Sequence, residues 1–296
     1  MTDILPKPDV VGFFDPRTSS IQYIVSDPRS RKCAIVDPVL DYDERSGATA
    51  TTNADRLLEH IEAERLDLIW ILDTHPHADH LSAASYLKTR TGVRTAIGEH
   101  VVGVQRLWAD IYNWPQLATD GSQWDRLFAE GEQFAIGDIP VKVMHSPGHT
   151  LASVSYIAGD AAFIHDTLFM PDSGTARADF PGGSAEALWA SIQAILRLPD
   201  VTRTFVGHDY QPGGREPRWV STVAEQRAAN THLVTCQGED DFVRLRNERD
   251  KSLPMPKLIL HALQVNINGG RLPEAEVGGK RYLKIPLDAL PHAAWN

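Results

Sequence analysis

Thr74-His75-Pro76-His77-Ala78-Asp79-His80 places three histidines and an aspartate within six residues. The cluster follows an apolar run, Leu68-Ile69-Trp70-Ile71-Leu72, and precedes a helix-like stretch from Leu81 to Arg90. Strand, loop and helix in that order put it at the carboxyl end of a strand, where open α/β sheets gather their ligands. Imidazoles and a carboxylate at this density are the donor set for borderline metals such as zinc or iron. The competing reading is a polar helix start that happens to be rich in histidine.

Further candidate donors occur downstream, each at a strand end. Val141 to Met144 alternates as a strand and runs into His145-Ser146-Pro147-Gly148-His149-Thr150, where proline and glycine force a tight turn. Ala161-Ala162-Phe163-Ile164-His165 ends at Asp166, and Thr204-Phe205-Val206-Gly207 ends at His208-Asp209-Tyr210. The expected metal site thus comprises His75, His77, Asp79, His80, His149, Asp166 and His208. Asp37 also ends a strand, at Val36-Asp37-Pro38, and is either a carboxylate orienting a metal ligand or a turn residue.

The spacing leaves two chemistries open. Seven ligands can hold two metals that share Asp166, with a bridging hydroxide to attack an ester, thioester or phosphoester. Alternatively His75, His149 and Asp166 alone hold one metal, the two-histidine, one-carboxylate set of non-haem iron oxygenases.

Strand–helix alternation around these motifs indicates a layered α/β domain. Asn53 is a plausible N-cap for a helix to about Arg65, and Ser184 to Leu198 reads as a capped amphipathic helix. Residues 101–137 carry Trp108, Tyr112, Trp124 and Phe128, either a satellite cluster or a lid over the metal. In the Gly/Pro-rich stretch 170–183, Arg177 is the only strong cation. Its planar fork suits a substrate carboxylate or a salt bridge to Asp179. The alternating charges at 239–251 read as a solvated helix face.

Composition narrows the partners. The 296 residues are 42% hydrophobic with a formal net charge of −10, which argues against nucleic acid as a main partner. Cys33 and Cys236 stand far apart, giving no disulfide framework and fitting a reducing compartment. The N-terminal stretch lacks an apolar signal core, and no run approaches the ~20 residues that span a bilayer. A cytoplasmic protein without a membrane partner is expected.

The HxHxDH spacing resembles the signature of the metallo-β-lactamase superfamily. Within it, the chain is similar to the glutathione persulfide dioxygenases, or sulfur dioxygenases. The matching stretches are Asp73–His80, Ser146–Thr150, Asp166–Phe169, Gly174–Phe180, Gly207–Tyr210 and Leu263–Asn266. The resemblance implies a four-layer αβ/βα sandwich, with one domain over 1–296. Its core spans about 10–215, and a helical extension with a final strand segment spans about 216–296. It implies one Fe(II) per chain on His75, His149 and Asp166, with His77, Asp79, His80 and His208 behind them. Arg177, Thr150 and Tyr210 match residues lining the glutathione persulfide pocket, and the implied reaction yields sulfite and glutathione from that substrate and O2. The rival implied function is a glyoxalase II-like hydrolase of glutathione thioesters with two zinc ions. A non-catalytic thiol- or persulfide-binding protein is a third. A homodimer contact through the pieces after residue 216 is a further expectation. One departure stands out: His165 occupies a position where relatives usually carry glycine, so it either adds a ligand or hydrogen bond or points away.

Overall fold

The computed structural model describes residues 7–291. Two six-stranded sheets face each other. The first runs in the order Asp9–Asp15, Ser20–Ser26, Lys32–Val36, Asp67–Leu72, Thr95–Gly98 and Arg126–Phe128. The second keeps chain order: Gln133–Ile136, Ile139–His145, Val154–Ala158, Ala161–His165, Arg203–Val206 and Val220–Thr222. A small third sheet pairs Val39–Asp43 with Ala48–Ala50 and Leu81–Ser82.

Side-chain alternation sorts the strands' two faces. Tyr23, Val25, Ala34, Val36, Trp70 and Leu72 share one buried cluster with Val141, Val143, Tyr156 and Phe163 of the second sheet. The Tyr23 ring meets Phe163 and Phe205 edge-on, at 5.4 and 5.5 Å between centroids. The intervening Ile24, Ile35 and Ile71 pack outward on helices Thr52–Ala63, Ala84–Thr91 and Ile259–Asn266 through Leu57, Leu87 and Val265. Helix Ala185–Leu196 joins two parallel strands of the second sheet and inserts Leu188, Ile192 and Ile195. Ser184 caps it, accepting from the Ala187 N–H at 3.1 Å. Helix, sheet, sheet and helix make the four-layer αβ/βα sandwich that the resemblance implies.

Several expected elements differ. The final apolar segment is the helix Ile259–Asn266, not a strand, because Ile259, Ala262, Leu263 and Val265 are buried at helical spacing. Val220–Thr222 extends the second sheet past the expected core boundary near residue 215. Asn53 lies inside its helix, and its amide bonds Asp41 at 2.7 Å instead of capping. Trp108, Tyr112 and Trp124 pack with Ala78 and Leu263 as a buried cluster. Helix Glu239–Asp250 is not wholly solvated, since Phe242, Arg246 and Asp250 are buried. Among the described residues no helix is long and apolar enough to cross a membrane.

Candidate metal centre

All seven expected donors converge where the two sheets open at one edge. Three sets have donor atoms within 4.8 Å of one another: His75, His149 and Asp166; His77, Asp79 and His80; and Asp79, Asp166 and His208. The first set is fully buried, and its Oδ2 of Asp166 lies 4.0 Å from His75 Nε2 and 3.6 Å from His149 Nε2.

The hydrogen bonds around these rings decide which nitrogen carries the proton. The Thr74 hydroxyl donates to Asp37 Oδ2 at 2.8 Å, so its oxygen accepts from His75 Nδ1 at 3.0 Å. His149 Nδ1 lies 2.9 Å from the Arg177 carbonyl, which can only accept. Both Nε2 atoms are therefore bare lone pairs turned toward a carboxylate oxygen, and His75 Nε2 is buried without a partner. Lone pairs facing an anion repel unless a cation lies between them. Edges of about 3–3.5 Å are expected for donors around an ion with ~2.1 Å bonds, so the triad fits a metal with slight contraction. Burial holds the pKa of both imidazoles below its ordinary value, with His77 and His149 adding repulsion at His75. Neutral imidazole is the form a metal needs.

His208 stands differently. Its Nδ1 lies 2.7 Å from Asp166 Oδ1 and its Nε2 lies 2.6 Å from Asp79 Oδ2. Carboxylates accept, so both nitrogens donate. Burial disfavours the imidazolium, but Asp166 and Asp79 together hold its pKa well above the usual value. Ser20 Oγ joins this group, 3.0 Å from Asp79 Oδ2. Asp166 thus divides its oxygens, Oδ2 toward the His75–His149 pair and Oδ1 toward His208. His77 Nε2 lies 3.1 Å from Asp37 Oδ1, without the alignment of a hydrogen bond. His80 Nδ1 donates to the Leu81 carbonyl at 3.2 Å.

Supporting residues explain the loop's shape. Asp37, at φ +52°, is both the turn residue and the carboxylate behind the cluster. It also accepts from the Thr74 N–H at 2.7 Å. Burial pushes the Asp37 carboxyl up, but His77 and the Thr74 bonds hold it below its ordinary range. Asn266 donates to the carbonyls of His77 and His80 at 2.8 and 2.7 Å and accepts from the Ser82 N–H at 2.7 Å. That threefold stitch gives the Leu263–Asn266 motif a physical role. His165 has φ +39°, the left-handed region that favours glycine. Its Nε2 sits 2.9 Å from Ser146 Oγ and 3.0 Å from Thr167 Oγ1, and it belongs to none of the donor sets.

A cavity of about 620 Å³ opens above Asp79, His149 and Asp166, walled by Phe169, Phe180 and Tyr210. Tyr210 stacks parallel to His208 at 5.8 Å. Arg177 lines this cavity with most of its donors engaged. Nε and Nη2 bond Asp179 at 2.7 and 2.8 Å, and Nη1 donates to the Pro254 carbonyl at 2.6 Å. Thr150 does not line the cavity; its hydroxyl is 2.8 Å from Ser153 Oγ and accepts from the Ala152 N–H. Arg249 lines the cavity and makes no hydrogen bond or ion pair through its guanidinium among the described residues. Sequence reasoning passed over it within a charge-rich helix.

Residues 16–208 match the metallo-beta-lactamase superfamily, and the chain belongs to it. A beta-lactamase hydrolase-like protein of Xylella fastidiosa is 69% identical over 98% of this chain and 67% of its own length. Glyoxylase B2 of Dictyostelium discoideum is 46% identical over 96% of this chain and 98% of its own. The mitochondrial persulfide dioxygenase ETHE1 of Bos taurus is 28% identical over 87% of each chain. The crystal structure of ETHE1 from Myxococcus xanthus superposes with a TM-score of 0.72 at 28% identity, covering 89% of this chain and all of that one.

Proposed function

We propose that the chain is a mononuclear non-haem iron dioxygenase that oxidises glutathione persulfide with O2. The reaction is GSSH + O2 + H2O → GSH + SO3²⁻ + 2 H⁺. The observation that carries this reading is the division of Asp166. Its Oδ2 faces the bare Nε2 atoms of His75 and His149, while its Oδ1 accepts from His208 Nδ1, whose ring donates through Nε2 to Asp79. An ion at His75, His149 and Asp166 therefore finds three free donors, whereas one at Asp79, Asp166 and His208 would have to displace existing bonds. The likeness to the ETHE1 proteins supports the same choice.

Held by His75, His149 and Asp166, a ferrous ion would supply coordination of a soft sulfur and of O2. The chain's own residues do the rest. Phe169 and Phe180 exclude water from the sulfur, and His208, as an imidazolium, holds Asp166 ionised. Tyr210, stacked on His208 at the cavity wall, would offer its hydroxyl to the persulfide. Arg249 at the rim meets a glutathione carboxylate. No nucleic-acid or membrane partner belongs to this reading.

A second reading is a dinuclear zinc hydrolase of glutathione thioesters. It is favoured by the His77, Asp79, His80 set and by the likeness to glyoxylase B2. Metal analysis of anaerobically purified protein, followed by O2 uptake on adding glutathione persulfide, separates the two. About one iron per chain with sulfite formation is expected. Two zinc ions, no uptake and cleavage of S-lactoylglutathione would replace the first reading with the second. No turnover of any glutathione derivative would leave a binding protein.

A further inference from the structure

We infer that Asp250 is a positioning residue for His149, acting through the peptide group between Arg177 and Ala178. The carbonyl of that peptide accepts from His149 Nδ1 at 2.9 Å. The N–H of the same peptide donates to Asp250 Oδ2 at 2.9 Å. A peptide is planar and delocalised, so an anion bound at its N–H raises the negative charge on its oxygen. The carboxylate thereby strengthens the grip of that oxygen on Nδ1–H. A stronger grip fixes the ring's rotation and makes Nε2 a better donor.

The ends of this relay are rigid. Asp250 is 2% exposed and Arg246 is 1% exposed. Arg246 Nη2 donates to Asp250 Oδ1 at 2.6 Å, and Nη1 donates to the Thr175 carbonyl at 3.0 Å. The Arg177 side chain, fastened to Asp179 and Pro254, holds the same peptide from its other side. A buried ion pair of this kind is weak evidence for stability, because desolvating two charges offsets most of their attraction. Its placement has a role if it serves the ligand. The opposite histidine is built alike: Asp37 stands behind His75 with one hydroxyl, that of Thr74, between them. Each triad histidine therefore has a buried carboxylate one group removed, by a hydroxyl on one side and a peptide on the other.

The inference rests on the metal reading of His149 and not on which reaction the centre performs. Its test uses zinc ions alone. Asp250→Asn keeps the shape of the acceptor and removes its charge. The double variant Arg246→Gln/Asp250→Asn removes both buried charges and serves where the single variant fails to fold. Zinc affinity of the apoprotein is measured by competition with a chromophoric chelator. The His149 Nδ1–H signal of the zinc-loaded protein is followed by NMR with ¹⁵N-labelled histidine. Folded variants are expected to bind zinc about tenfold more weakly, the lower end for loss of an outer carboxylate partner. Their Nδ1–H signal moves upfield and exchanges faster.

Zinc affinity within twofold of wild type, with an unmoved Nδ1–H signal, overturns the inference. A purely structural role for Asp250 gives that same unmoved signal together with a lowered melting temperature. In the wild type itself, a His149 Nδ1–H that is absent or exchanges freely also overturns it. A wild type that binds no zinc removes the metal reading, and this inference with it. Zinc binding without persulfide oxidation touches only the proposed reaction.

Discussion

A Cβ atom on Gly207 would lie 2.4 Å from Oδ1 of Asp166. The strand end that precedes His208 thus has room for its neighbour's carboxylate only because it carries no side chain. Gly207→Ala is expected to push Asp166 off both His208 and the triad. Metal binding should weaken by at least about tenfold, measured by chelator competition. An alanine variant with unchanged affinity would show that Asp166 relocates freely and is not a fixed ligand.

Thr74 carries the link between Asp37 and His75 in a single hydroxyl. Thr74→Val keeps the shape and removes that link. Asp37 Oδ2 then loses its donor in a buried place, at a cost of about 1–3 kcal/mol in a denaturant titration. Metal affinity should fall in parallel. Loss of stability with full metal affinity would confine Thr74 to the fold.

His165 offers a comparison of two variants. Both His165→Gly and His165→Ala lose the bonds to Ser146 and Thr167. Only alanine retains the strain of a side chain at φ +39°. The glycine variant should therefore be the more stable by about 1 kcal/mol. Metal content should be equal in the two, and a drop common to both would make His165 a ligand after all.

The two cavity arginines should separate cleanly. Arg177→Ala frees the stretch around Leu253 and Pro254, so it lowers stability as well as activity. Arg249→Ala breaks no bond in the fold, so it should raise KM severalfold at near-constant kcat and melting temperature. Steady-state kinetics with glutathione persulfide, paired with thermal melts, reads both. An unchanged KM in Arg249→Ala takes that residue out of substrate recognition.

His232 sets a pH limit away from the metal. Burial, aided by the nearby Arg246 and Arg249 charges, lowers its pKa to about 4. The unfolded chain takes up this proton near pH 6.5, and the folded chain refuses it until about pH 4. Its contribution to stability is therefore complete above pH 6.5 and shrinks as the pH falls through that window. Urea denaturation at pH 7 and pH 5 should show a smaller pH-dependent loss for His232→Asn than for wild type.

Legibility in the sequence followed distance along the chain. His75 to His80 lie on one loop, so their spacing alone announces them, and the strand-end setting exposes His149, Asp166 and His208. Asp37 reads first as a turn residue before Pro38, and it is also the supporting carboxylate. Arg246 and Asp250 were hidden: on a charge-rich helix an i, i+4 pair looks solvated. Its burial comes from Thr175 and Ala178, some seventy positions away. The Ile259–Asn266 helix reads as a strand in sequence because eight mostly apolar residues do not distinguish the two periods.

The Asn266 stitch orders events in time. A ribosome delivers the histidine loop early, yet the His77 and His80 carbonyls and the Ser82 N–H stay unpartnered until residue 266 arrives. The loop's final shape is thus withheld until most of the described chain exists. The four donors of that loop therefore take their final places only with a residue from the far end of the described chain.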